Sequence, residues 1–163
     1  MAGLDQRYGG RDMTVVEAST VVDAPPAAVW KVVSDPRNLP RWDRRIGSVR
    51  GADPGPFHTG SEYETELRLM GVHAKVPVVA EEVEELEYAR IRLGGLISAT
   101  VETWLQELPK GRTRLSHRVD YQFRGGLLGD LAAQTVGIIG ASTLLRRGIE
   151  AQRRQIEDDQ LRG

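Results

Sequence analysis

Between Met13 and Phe123, apolar and polar residues alternate in short runs, the period-two signature of half-buried β-strands. The clearest run is Ser61 to Met70, with Tyr63, Thr65, Leu67 and Leu69 on one face and Glu62, Glu64, Glu66 and Arg68 on the other. Such a pattern predicts an antiparallel strand with one face on a core and one in water. In Thr113 to Phe123, Leu115, His117, Val119, Tyr121 and Phe123 share a face opposite Arg114, Ser116, Arg118, Asp120 and Gln122. Met13 to Asp23 is rich in β-branched residues, which favour strands, and sets Val16, Ala18, Thr20 and Val22 on one face, taken as the inner one. Ile46 to Arg50, Val72 to Glu84, Tyr88 to Leu93 and Ile97 to Leu108 complete the run of strands, with glycine- or proline-bearing turns between several of them. Pro77 has no N–H for a sheet ladder, so it predicts an edge or a bulge and leaves the side taken by His73 open.

Two short helical stretches interrupt the strands early. Pro25-Pro26 opens the first, Ala27 to Val33, and Asp35-Pro36 stops it; Asn38 to Asp43 forms a second short helix or turn. Trp30 and Trp42 are large anchors at the two ends of this unit, with plain core packing as the simpler reading of both.

The period changes after Gly125-Gly126. From Gly125 to Asp158, Leu131, Thr135, Ile138, Ser142, Leu145, Ile149, Gln152 and Ile156 recur at spacings of three and four, which places them on one face of a long helix. Gly129, Gly137 and Gly140 lie inside it, and each interior glycine costs a helix about 1 kcal/mol against alanine. Small residues there predict either close packing on the sheet or empty volume beneath the helix. The segment from Leu127 to Leu145 is apolar, but Asp130 and Gln134 interrupt it and Arg146-Arg147 end it, so a buried helix is expected and no integral membrane segment. Strands first and a long helix last predict an α+β fold, a curling antiparallel sheet of six to seven strands with the helix on its concave side.

Composition narrows the function classes. The chain has 163 residues, suiting one domain over 13–160 behind a polar, loose tail at 1–12. A net charge of -1 gives no field toward nucleic acid or an anionic membrane. The absence of cysteine excludes disulfides, thiol nucleophiles and cysteine metal sites. His58, His73 and His117 lack paired ligand spacing, so no metal is expected, and no glycine loop of phosphate- or dinucleotide-binding pattern points to a cofactor. The opening residues have no apolar stretch of the secretory kind, so the expected location is cytoplasmic. A monomer or weak homodimer is expected.

The stretch Val22-Asp23-Ala24-Pro25-Pro26-Ala27-Ala28-Val29-Trp30, followed by Ser34-Asp35-Pro36 and Leu39-Pro40-Arg41-Trp42-Asp43, resembles the opening of the START-like (SRPBCC) superfamily, and most of all its polyketide cyclase/dehydrase branch. The late turn Gly111-Arg112-Thr113-Arg114-Leu115 and the closing amphipathic helix agree with it. The resemblance implies a helix-grip fold with an apolar cavity between sheet and helix. Members bind lipids, sterols, polyketides, quinones or hormones; some are aromatases or cyclases, and others protect their producer by intercepting a toxic compound. Fold alone does not choose among these.

Alternation picks out polar and apolar residues that could line such a cavity. His117 and Tyr121 lie two steps apart on one strand and are the candidate acid–base and oxygen-holding pair, should the protein be an aromatase/cyclase or dehydratase. Glu102 and Trp104 are placed inward from the neighbouring strand, Tyr63 and Leu67 from an earlier one, and Trp42 from the second short helix. Thr135, Ile138, Ser142 and Leu145 are added from the long helix. The simpler alternative makes His117 a core histidine satisfied by Glu102 or a backbone carbonyl, and Trp104 and Tyr63 core packing. The reading that results is a binder of a small, largely apolar, polyketide- or lipid-like molecule, with the enzyme and a self-resistance protein that sequesters a toxic natural product as alternatives.

Overall fold

The computed structural model describes residues 13–69 and 71–163; the expected tail at 1–12 lies outside the described residues. β1 (Thr14–Val22) leads into α1 (Pro26–Val33), a 3-10 turn at Pro36–Asn38 and α2 (Leu39–Trp42). Then follow β2 (Ile46–Arg50), β3 (Glu62–Leu69), β4 (Val72–Glu84), β5 (Tyr88–Leu93), β6 (Ile97–Leu108) and β7 (Arg112–Phe123). Two helices, α3 (Leu127–Ile139) and α4 (Ala141–Arg162), close the chain. The seven strands form one antiparallel sheet in the order β1-β7-β6-β5-β4-β3-β2. This is the expected α+β helix-grip arrangement.

Local chemistry sets the element boundaries. Pro26 stands at the first turn of α1, where its missing N–H is no loss, and the Ser34 N–H closes the helix on the Trp30 carbonyl. Asp35 then caps the next turn by accepting from the Arg37 N–H at 3.0 Å. Its bond to the Arg37 guanidinium holds the Asp35 carboxyl below the usual carboxylate range.

Pro77 sits inside the sheet, not at an edge. Its carbonyl accepts from the Gly94 N–H at 2.9 Å, so its nitrogen faces Gly94 just past the end of β5, and only the reciprocal bond of that last pair is forgone. The irregularity in β4 falls instead between Ala80 and Glu82. His73 lies outside, exposed, 3.1 Å from Glu66.

The long helix is broken. Gly140 takes a φ of +91°, open to glycine at little cost, and α3 turns from α4 by 79°. Beyond the break, Ile149 and Ile156 of α4 pack on Val22, Val29, Trp30, Leu105 and Leu115, and this half of the interior is solid. A second packed cluster joins Tyr63, Ala74, Val76, Val78, Leu96 and Ala132. Between the two clusters the concave face of the sheet is not filled.

Candidate ligand-binding site

Strand register decides which side chains reach that space. In an antiparallel sheet, directly opposed residues project to the same face. Tyr121 opposes Ala99, Ala99 opposes Leu93, Leu93 opposes Val78, and Val78 opposes Tyr63. These five residues form one transverse row on the inner face. At about 4.8 Å per strand, the two tyrosines are roughly 19 Å apart along it. A parallel row runs from Ala18 through His117 and Thr103 to Ala89.

The space enclosed is a cavity of about 400 Å³. Val78, Ile91, Val101, Val119 and Phe123 pave its floor, Trp42 and Ile46 stand at one side, and Ala141, Leu144, Leu145 and Gly148 of α4 roof it. Its polar groups are few. His117 is buried, with Nδ1 2.8 Å from the Thr103 hydroxyl and Nε2 2.7 Å from Gln152 Oε1. The Gln152 oxygen can only accept, so Nε2 carries the proton and Nδ1 accepts from Thr103. Burial pushes the His117 pKa down against the opposing effect of Gln152, which keeps the ring neutral. Both ring nitrogens are therefore engaged within the protein.

Asp43 and Arg45 form a forked ion pair at the cavity wall, with contacts of 2.8 and 2.6 Å. Burial alone would raise the Asp43 pKa, but the hydrogen bonds from Arg45 more than offset it and hold the carboxyl low. Tyr63 is 7% exposed and lines the cavity, and its hydroxyl has no hydrogen-bond partner among the described residues. Burial raises the Tyr63 pKa, so its phenol stays protonated and able to donate. Tyr121 also lines the cavity, its ring edge-on to Phe123 at 5.6 Å. Thus the site offers tyrosine hydroxyls, a neutral imidazole already bonded and an internally neutralised ion pair on an apolar surface.

Of the residues expected to line a site, Trp42, Tyr63, His117, Tyr121 and Leu145 do so. Glu102 and Trp104 do not, because they lie on the opposite face of β6. The three-residue turn Pro109–Gly111 closes β6 on β7 with Leu108 opposite Arg112, so Thr103 opposes His117 and Glu102 opposes Arg118. Glu102 accepts from the Tyr88 hydroxyl at 2.8 Å on the outer face, and Trp104 stacks there on Tyr88, 40% exposed. Leu67 packs against the Tyr63 cluster. The break at Gly140 turns Ile138 out, leaving it 81% exposed, and Ser142 is exposed as well. Thr135 returns its hydroxyl to the Leu131 carbonyl of its own helix.

The expected role of the small residues is also redistributed. A Cβ on Gly129 would lie 1.7 Å from the Arg124 carbonyl oxygen, so that glycine permits a close backbone approach, while Gly137 is exposed. The helix glycine that opens space for the cavity is Gly148. Sequence reasoning missed Thr103, Gln152 and Gly148. A glutamine on an otherwise apolar helical stripe was the available signal for the second, and turn length for the first.

Residues 13–157 match the family described as polyketide cyclase / dehydrase and lipid transport. The chain belongs to that family. No curated protein matches the chain by sequence. Among solved structures it is similar to the Zhui aromatase/cyclase from Streptomyces sp. R1128, with 16% identity and a TM-score of 0.64, covering 87% of this chain and 95% of that one. A START superfamily protein from Mycobacterium smegmatis gives 15% identity and a TM-score of 0.62 over 88% and 97% of the two chains. A protein from Thermus thermophilus gives 14% and 0.67 over 90% and 99%. At such identities these likenesses establish the fold.

Proposed function

We propose that this member of the polyketide cyclase / dehydrase and lipid transport family binds, without turnover, a small apolar molecule that is neutral and carries an oxygen acceptor. One observation carries the reading: a cavity of about 400 Å³, within the size range of small-molecule sites, whose deeply buried Tyr63 has a hydroxyl unpaired among the described residues. That hydroxyl opens on the cavity, where it is free to donate to a ligand carbonyl or ether oxygen. A carboxylate ligand is disfavoured because Arg45 already holds Asp43 and the His117 ring is neutral. Binding is favoured over catalysis because a general acid or base needs a nitrogen free for the substrate, and His117 has none.

The test is a fluorescence titration with a tricyclic aromatic ketone, its deoxygenated parent and its carboxylate derivative. Trp42 lines the cavity whereas Trp30 is core-buried and Trp104 faces outward, so saturable quenching should vanish in Trp42→Phe and persist in Trp104→Phe. Tyr63→Phe should weaken the ketone by about tenfold, one hydrogen bond's worth, and leave the parent unchanged. Equal or tighter binding of the carboxylate, or product formation that is lost in His117→Ala, would overturn the reading.

A further inference from the structure

Helix α3 leaves large apolar side chains in solvent at both of its ends. Leu127 is 85% exposed and Ile138 81%. Eleven residues apart, they fall about 20° apart round an α-helix, with the exposed Gln134 between them and the half-buried Leu131 beside that line. Their neighbours Leu128 and Ile139 are exposed as well. Between them, Leu131 and Ala132 rest on the cluster around Tyr63, and Val136 reaches the cavity, so α3 stands at the cavity's edge with its ends unpartnered.

The residues that flank this helix in sequence are mostly basic. Arg124 precedes it, and Arg146 and Arg147 follow on α4. All three are exposed, and among the described residues none is in an ion pair. Against them α3 carries the single carboxylate of Asp130. The chain as a whole has a net charge of -1, so this end is locally basic on a near-neutral molecule. Among the described residues no single helix is long and apolar enough to cross a membrane, and the pair α3–α4 is bent by 79°. A short apolar helix bordered by arginines fits the plane of a lipid surface better than its interior.

We propose that α3 docks this protein on an anionic bilayer surface. Leu127 and Ile138 enter the acyl boundary, and Arg124, Arg146 and Arg147 meet the phosphates. Docking in this way would bring the edge of the cavity to the lipid, giving an apolar ligand a path that avoids water. The surface is separate from the ligand contacts, and the proposal does not require the ligand reading to hold.

The test is co-sedimentation of the full chain with vesicles of phosphatidylcholine alone and with added phosphatidylglycerol, at low and high salt. The expected result is binding to the anionic vesicles that salt weakens. The double variant Leu127→Glu/Ile138→Glu should lower it by about tenfold or more, since both apolar anchors become charged. Arg146→Gln/Arg147→Gln should weaken binding to anionic vesicles by a similar factor and leave neutral vesicles unaffected. Unchanged thermal melting and ketone quenching in these variants would show that fold and cavity survive. Absence of wild-type binding to anionic vesicles, or equal binding by the Leu127/Ile138 variant, overturns the proposal. So does a wild-type dimer that the same variant dissolves, because α3 would then face a second copy.

Discussion

Replacing Gly148 with leucine tests whether α4 covers empty space. Gly148 lines the cavity, as do Leu144, Leu145 and Gln152 three and four residues away on the same helical face. A Cβ added there meets no atom within 4 Å. The change has two favourable components if the space is open. Leucine improves helix propensity over glycine by about 0.8 kcal/mol. The new side chain also buries part of its surface, a fraction of the roughly 1.5–3 kcal/mol of a fully buried leucine. A net gain of about 1–2 kcal/mol corresponds to a Tm about 2–8 °C higher for a chain of this size. Ligand affinity should move the other way. A leucine in a cavity of about 400 Å³ competes with the ligand for the same volume. Forcing both in should cost at least about 1.4 kcal/mol, a tenfold loss of affinity. The assays are thermal melting by circular dichroism and the Trp42 quenching titration. If α4 instead lay tight on the sheet, the same substitution would overpack it by about 1–3 kcal/mol and lower the Tm. A lower Tm refutes the open cavity, and a raised Tm with unchanged affinity places the ligand elsewhere.

Other consequences follow from named contacts. His117→Ala should destabilise the fold by about 2–4 kcal/mol in urea unfolding, because it leaves Thr103 and Gln152 without their shared partner and removes a buried ring. The same histidine sets a pH dependence. Its pKa is lowered in the folded state, so below about pH 6.5 the unfolded chain takes up a proton that the folded chain refuses, and stability falls as pH drops. This one proton contributes at most about 1.4 kcal/mol per pH unit, and the profile below about pH 6.5 should be flatter in His117→Gln; identical profiles would contradict the neutral, buried ring. Substituting Glu102→Gln or Trp104→Ala should leave ligand affinity within about twofold, since both sit on the outer face and carry no cavity contact.

The strands, their faces and the two short helices were legible in the chain because they rest on local rules. Alternation fixes which residues share a face, as with Leu115, His117, Val119, Tyr121 and Phe123, and Pro25-Pro26 and Asp35-Pro36 mark where the first helix begins and ends. Alternation on one strand says nothing about which face of its neighbour is inward. That depends on pairing, and a slip of one residue exchanges the faces, which is why Glu102 and Trp104 were placed inside and Thr103 was overlooked. The helical stripe from Leu131 to Ile156 was equally local: Leu131, Ile149 and Ile156 find packed partners, while Ile138 and Ser142 on either side of Gly140 are exposed. Whether a glycine bends a helix or leaves it straight is decided by what lies beneath it, so the exposure of Ile138 could not be read from spacing. Tertiary structure also settled the state of His117, whose partners come from a neighbouring strand and from α4, and it left the cavity open. An apolar pattern states that residues leave water; only the packed arrangement of distant elements determines whether they meet each other or leave a space between them.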